Sequence, residues 1–159
     1  MTHRKQITLE RTFAASIADV WALWTTKDGI ESWWGPEGFA VTVKHLDLRP
    51  GGELRYVMAA VAPEQIAFMK RANMPTAHDA RIVYSEVTPN RRLAYRHDVD
   101  FVPGVAAYAV DTVVELAETA TGVHMVLRFD AMHDDTWTER ATMGWQSELG
   151  KLEKRLATR

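Results

Sequence analysis

The chain has 159 residues, which suits a single domain over residues 1–159 whose core needs no disulfide or metal to hold it. Its net charge of −2 without a basic block excludes the electrostatic pattern of nucleic-acid binding, and the absence of cysteine excludes disulfides, thiol catalysis and thiolate metal sites. No signal-peptide pattern and no apolar stretch long enough to span a bilayer are present, so we predict a cytoplasmic protein without membrane insertion.

A strand and two helices are predicted first. Residues 7–13 alternate apolar and polar side chains, which is the period of a half-buried strand. Ser16 and Asp19 have the spacing of a capping box, which favours a helix start at this point. A second, shorter helix is expected near residues 30–34, where Gly35-Pro36 ends it.

Six strands are predicted next, as three hairpins separated by turns rich in Gly, Pro, Asn and Thr. The strands cover residues 39–48 and 53–59, then 81–87 and 91–98, then 107–116 and 123–130. The apolar side of the first of these strands switches near His45, which predicts a β-bulge or a sharp twist there. The pattern leaves open which face His45 and Asp47 occupy.

A long insertion separates the second and third of these six strands. Pro63 suits a first helical position, and apolar residues follow at helical spacing up to a stop at residues 73–75. We hypothesise a short helix that acts as a lid over a cavity mouth. The alternative is an ordinary surface or dimer-contact helix. The lid candidates are Ile66, Phe68, Met69 and Met74.

The tail is predicted to be one helix of about twenty residues. Asp134, Asp135 and Thr136 are all possible N-caps, and Thr136 with Glu139 forms a second capping-box pattern. One apolar stripe runs along this helix at steps of three or four residues. It consists of Trp137, Ala141, Trp145, Leu149, Leu152 and Leu156.

This order of elements predicts an α+β fold in which an antiparallel sheet packs against the long C-terminal helix. One helix cannot fill the whole face of such a wide sheet. We therefore expect a hollow between sheet and helix, and hollows of this kind bind small apolar ligands.

Several motifs together resemble a known family. They are Trp33-Trp34-Gly35-Pro36 with Gly38-Phe39, Leu46-Asp47-Leu48-Arg49-Pro50-Gly51-Gly52, Tyr84-Ser85-Glu86-Val87-Thr88-Pro89, and Gly144-Trp145. The chain resembles the START-like, or Bet v-type (SRPBCC), superfamily, and within it the branch of heat-shock ATPase-activator homologues. The resemblance implies a helix-grip fold, with a curved sheet of about seven strands wrapped around a long C-terminal helix and two short helices after the first strand.

The resemblance leaves function open, because fold relatives include lipid carriers, hormone-binding proteins, polyketide cyclases and stand-alone bacterial proteins. Our leading hypothesis is a binding module for a small hydrophobic or aromatic molecule. An enzyme of the cyclase, dehydratase or hydrolase type in the same cavity is the second. A chaperone-associated interaction protein is the third, and it is the least favoured because co-chaperones of the family carry an additional N-terminal domain for which this chain has no room.

Strand parity and the aromatic residues near element ends give the cavity candidates. They are Trp34, Phe39, Tyr56, Met58, Tyr95, His97, Thr112, Met125, Phe129, Trp137, Ala141 and Trp145. The enzyme hypothesis needs titratable groups in the hollow, and its candidates are His97, Tyr56, Tyr95 and Glu86. For His97, the alternative is a histidine near solvent at a strand end, hydrogen-bonded to Asp98 or Asp100.

No cofactor or metal is expected. The six histidines form no His-x-His or His-x3-His pair, and the chain has neither a nucleophile elbow nor a phosphate-binding glycine loop. The loop over residues 100–106 is unusually apolar for a connection between strands. We expect a partner subunit or the lid helix to cover Phe101 and Val102, which makes a homodimer a prediction.

Overall fold

The computed structural model describes residues 5–100 and 102–158. Its elements are β1 (Gln6–Phe13), α1 (Ile17–Thr25), α2 (Lys27–Trp33), β2 (Phe39–Leu46), β3 (Glu53–Ala60), α3 (Pro63–Arg71), β4 (Ala77–Thr88), β5 (Arg92–Val99), β6 (Tyr108–Thr119), β7 (Gly122–Asp130) and α4 (Asp135–Ala157). The strands form one seven-stranded sheet in the order β1-β7-β6-β5-β4-β3-β2. Every neighbouring pair is antiparallel. The predicted α+β helix-grip fold is confirmed.

The helix starts follow local capping chemistry. Ser16 accepts a hydrogen bond from the Asp19 backbone N–H at 3.1 Å, as the capping-box pattern predicts. For α4, the side chain of Asp134 accepts from the Trp137 backbone N–H at 2.8 Å. Thr136 lies inside the first turn, so the predicted Thr136–Glu139 capping box is wrong, because Asp134 already occupies the N-cap position.

The predicted bulge in β2 is confirmed. The pairing of β2 with β3 shifts register between Val43 and His45. Val41 and Val43 are buried before the shift, whereas His45 is exposed. Asp47, whose face was open, is half-buried beyond the end of the strand and pairs with Arg49 at 2.9 Å.

The inner face of the sheet is closely packed at one end. β1 ends opposite Val123 of β7, and the chain turns almost at once into α1, which contacts β6, β7 and α4. Trp33 of α2 is fully buried, and its indole N–H donates to the Leu23 carbonyl at 2.8 Å. The second half of α4 adds Leu149, Leu152 and Leu156 to the same core.

The helix predicted in the insertion exists, as α3, and both of its flanks are held. The backbone N–H groups of Val61 and Ala62 donate to the Gly38 carbonyl at 2.8 and 3.1 Å. On the other side, Ala60 donates to the Thr76 carbonyl at 2.7 Å, which closes the insertion at its base. Nowhere in residues 5–100 and 102–158 is there a helix long and apolar enough to cross a membrane.

Candidate functional site

A hollow of about 550 Å³ lies between the inner face of the sheet, the first half of α4 and α3. Its walls are mostly aromatic and aliphatic. The structure places eleven of the predicted cavity residues around it, namely Trp34, Phe39, Tyr56, Met58, Tyr95, His97, Thr112, Phe129, Trp137, Ala141 and Trp145.

Met125 is the exception, and its prediction is wrong. Its side chain is 0% exposed and does not line the hollow. Met125 and Phe129 share a face of β7, but Met125 pairs with Leu116 whereas Phe129 pairs with Thr112. Strand parity therefore identified the right face of β7, but Met125 lies at a position on that face where the sheet is closely packed.

Stacked rings build the back wall of the hollow. Trp34 is only 5% exposed, and its ring stands edge-on to Tyr56 at a centroid distance of 5.4 Å and tilted against Tyr95 at 6.2 Å. On the other side, Trp145 lies 6.2 Å from the ring of Phe129 and 6.0 Å from Trp24. Rings fixed by several neighbours make this wall preformed.

The most unusual polar group of the hollow is Glu148 of α4, which the sequence reasoning missed. Its Oε1 accepts a hydrogen bond from the Gly35 backbone N–H at 2.7 Å. Burial raises the pKa of this carboxyl to about 7, although the Gly35 hydrogen bond and the charge of Lys151 act in the opposite direction. Lys151 itself donates to the Gly35 carbonyl at 2.8 Å.

A signal for Glu148 was present in the sequence. It lies three residues after Trp145 and four before Leu152, and so it interrupts the apolar stripe of the tail helix with a carboxyl. His78, Met132 and Arg140 also line the hollow and were missed. Arg140 sits over the ring of Trp137 at 5.1 Å.

Two tyrosine hydroxyls face the same region as Glu148. Burial raises the pKa of Tyr56 and Tyr95, and the nearby charge of Glu148 raises both further. Both phenols therefore stay protonated at neutral pH, where they can donate and accept hydrogen bonds.

Two histidines lie at the end of the hollow away from α2. Burial lowers the pKa of His97 and of His78, and the charge of Asp100 partly offsets the shift in both. Both imidazoles are therefore neutral at pH 7. His97 is half-buried and makes no hydrogen bond with Asp98 or Asp100 among the described residues, although all three line the polar hollow described next. Its role in the cavity stays a prediction.

A second, polar hollow of about 530 Å³ adjoins the first. It opens where the pairing of β4 with β5 stops, at Ile82 and His97. Tyr56, His78 and His97 line both hollows, so these three side chains form the boundary between them.

Other predicted residues lie elsewhere. Glu86 lines neither hollow and pairs with Arg92 at 3.0 Å, which removes it from the candidate acid–base groups. No cluster of three or more potential metal ligands occurs in residues 5–100 and 102–158. Phe101 lies outside the described residues and Val102 is half-buried. The homodimer stays a prediction.

Of the lid candidates, Met69 and Met74 line the hollow, whereas Ile66 and Phe68 do not. Met69 is buried, but Phe68 is 55% exposed. The helix α3 thus turns one methionine toward the hollow and one phenylalanine toward solvent.

Comparisons with known proteins agree with this architecture. The family profile described as "Activator of Hsp90 ATPase homolog 1-like protein" matches residues 14–157. No curated protein sequence matches the chain.

Similar solved structures cover nearly the whole chain. The crystal structure of a Chromobacterium violaceum protein is 22% identical with a TM-score of 0.76, and covers 96% of this chain and 97% of its own. The AHSA1 protein of Silicibacter pomeroyi is 21% identical with a TM-score of 0.76, over 97% and 99%. The AHSA1-like protein of Aeromonas hydrophila is 21% identical with a TM-score of 0.72, over 97% and 93%. At this identity the likeness shows the fold alone.

Proposed function

The chain belongs to the family of Activator of Hsp90 ATPase homolog 1-like proteins, and we propose that it holds a small hydrophobic or aromatic molecule in the hollow under α4. The observation that carries this proposal is the hollow of about 550 Å³ with its aromatic walls. Pockets for small molecules have volumes of about 300–1,000 Å³, are mostly apolar and contain few polar groups.

The walls support the proposal because neighbouring rings hold their side chains in place. Trp34 and Tyr95 are 5% and 3% exposed, and each contacts further rings. A preformed wall lowers the entropy that binding must offset. Met58, Met69 and Met74 also line the hollow, and flexible thioether side chains adapt to ligands of different shape.

The test uses 2-methylnaphthalene, a flat apolar probe, and follows the fluorescence of the tryptophans. We expect the probe to change this emission saturably, because Trp34 and Trp145 line the hollow. The variant Ala141→Phe fills the hollow and should weaken binding at least tenfold. The matched control is Ala157→Phe at the exposed end of α4, which should bind as the wild type does. Equal affinity of Ala141→Phe and wild type would contradict the proposal, as would the absence of any saturable change.

An enzyme in the same cavity is the second candidate. The observation that favours it is the position of Glu148 close enough to Tyr56 and Tyr95 to raise the pKa of both. A carboxyl with a pKa of about 7 can give or take a proton at neutral pH, and a protonated phenol can stabilise an oxyanion. The test is turnover of a panel of hydroxy-ketones and aryl esters, with Glu148→Gln as the variant that should abolish it. If the wild type turns over no member of the panel, or if Glu148→Gln does so equally well, this candidate loses its support.

A further inference from the structure

We propose that the Glu148 carboxyl is the polar anchor of the cavity, and that it selects a ligand whose aromatic or aliphatic body carries a hydrogen-bond donor, either a hydroxyl or an ammonium group. The inference rests on the proposed binding function and deepens it. It concerns which chemical class of ligand the hollow accepts and which residue makes the choice.

The backbone after Trp34 holds the carboxyl in a fixed position. Gly35 donates its N–H to Oε1 at 2.7 Å, and the ammonium of Lys151 donates to the carbonyl of the same glycine at 2.8 Å. Lys151 forms no ion pair with Glu148 within 4.0 Å among the described residues. The chain thus orients Glu148 through one oxygen without neutralising it.

The second oxygen, Oε2, is the free position. Among residues 5–100 and 102–158 it accepts no hydrogen bond, although the side chain lines the hollow. Glu148 is half-buried, and a partly desolvated carboxylate oxygen without a donor is unfavourable. A ligand that brings a donor to Oε2 removes this penalty, whereas a ligand without a donor leaves it in place.

No other carboxyl competes for that donor. Glu148 is the one acidic residue that lines the hollow within the described part of the chain. The other side-chain acceptors in the lining are neutral groups, namely the hydroxyls of Tyr56, Tyr95 and Thr112 and the imidazoles of His78 and His97. A hydrogen bond to an ionised group contributes about twice as much as one between neutral groups, so Glu148 dominates the choice.

The shape of the site sets where the donor must lie on the ligand. Glu148 lies in the turn of α4 that follows Trp145, and the turn after Trp34 bonds to it. The aromatic walls lie around Trp34, Tyr95 and Phe129. The ligand is therefore amphipathic, with its donor at the end nearest the junction of α2 and α4.

Four probes with one ring system test the anchor in the wild-type protein. They are 2-methylnaphthalene, 2-methoxynaphthalene, 2-naphthol and 2-naphthylmethylamine, with dissociation constants taken from tryptophan fluorescence and calorimetry at pH 7.5. We expect 2-naphthol to bind about ten- to a hundredfold more tightly than 2-methoxynaphthalene, since a hydrogen bond to a charged group contributes about 1.5–3 kcal/mol. Equal affinities of these two probes would overturn the anchor without any variant.

Three variants test whether Glu148 causes the preference for 2-naphthol over 2-methoxynaphthalene. In Glu148→Met the preference for 2-naphthol over 2-methoxynaphthalene should fall below about threefold. In Glu148→Gln an acceptor oxygen remains, so the hydroxyl preference should persist in weaker form and any preference for the ammonium probe should vanish. Glu153→Gln, on an exposed position of α4, is the control and should match the wild type. A wild-type preference for 2-naphthol that survives in Glu148→Met would overturn the proposal.

The probe series separates this inference from the proposed function. Binding of 2-methylnaphthalene that Ala141→Phe abolishes supports the cavity, whatever the donor series shows. Equal binding of all four probes then contradicts the anchor alone. If none of the four probes binds the wild type, both proposals fail.

Discussion

The inner face of the sheet has two ends that differ although they are built from the same strands and the same helix. At one end α1 and α2 cover the sheet, and Trp33, Met125 and Leu152 are all 0% exposed. At the other end the first half of α4 spans the sheet with α3, and a hollow of about 550 Å³ remains. Strand parity decides which face of the sheet a side chain occupies. The helices that cover the sheet decide whether that side chain is closely packed or lines a hollow.

The largest expected effect is a difference in unfolding free energy between alanine variants of Met125 and Met58. Met125→Ala creates a cavity in a packed core, which costs about 2–5 kcal/mol of unfolding free energy. Met58→Ala merely enlarges an existing hollow, so we expect a loss of less than about 1.5 kcal/mol together with altered probe affinity. Urea unfolding of both variants measures the contrast. Equal losses would show that the two ends are packed alike.

Next in size is the contribution of Glu148 to the pH dependence of stability. The pKa of this carboxyl is raised in the folded chain to about 7 from an ordinary value of 4.5. The folded state therefore binds the extra proton between these values, so the stabilisation is complete below pH 4.5 and is lost as the pH rises to about 7. Relative to wild type, Glu148→Gln should be equally stable near pH 4.5 and more stable by about 1–3 kcal/mol at pH 8.

Urea unfolding at pH 4.5, 6 and 8 measures the difference in unfolding free energy between Glu148→Gln and wild type. His97 and His78 have lowered pKa values, so their contribution acts in the opposite direction and is lost as the pH falls below 6.5. Both chains share that contribution, and it cancels in the difference. A difference that does not change with pH would mean that Glu148 titrates as an exposed carboxyl does.

A smaller difference in stability is expected between phenylalanine variants of Trp33 and Trp34, which lie where the packed end of the sheet meets the hollow. Trp33 donates its indole N–H to Leu23 at 2.8 Å, whereas the indole N–H of Trp34 has no partner among the described residues. Trp33→Phe removes a hydrogen bond and leaves the Leu23 carbonyl unpaired, so we expect it to cost about 1–2 kcal/mol more than Trp34→Phe. Thermal unfolding of the two variants gives the comparison. A reversed order would place the tighter packing around Trp34.

The smallest effect concerns the lid. If α3 closes over a bound molecule, saturating 2-methylnaphthalene should slow amide hydrogen exchange over residues 63–75 by about tenfold, and leave α1, at the solid end, unchanged. Met69 and Met74 are the contacts through which this would act. Unchanged exchange over residues 63–75 with bound probe would leave α3 as an ordinary surface helix.

Much of the fold was predictable because short stretches of sequence determine the strands, bulges and helix starts. The alternation of β1, the bulge before His45 and the start of α3 at Pro63 each follow from a few neighbouring residues. The prediction for Met125 failed since strand parity gives the face of a side chain but not how tightly distant elements pack over that position; Met125 is 0% exposed. The same reason applies to Glu148: its effect depends on Gly35, which is 113 residues away, and no local pattern reports such a contact.

The sheet order has a consequence for biosynthesis. β1 is the first strand to leave the ribosome, yet its one neighbour in the sheet is β7, the last strand to be made. At roughly 5–20 residues per second, β1 waits on the order of ten seconds with an unpaired edge and an apolar face. In a chain that stalls before β7, the unpaired edge of β1 is therefore prone to aggregate with other nascent chains. We therefore expect slower translation over the second half of the message to lower the yield of folded protein.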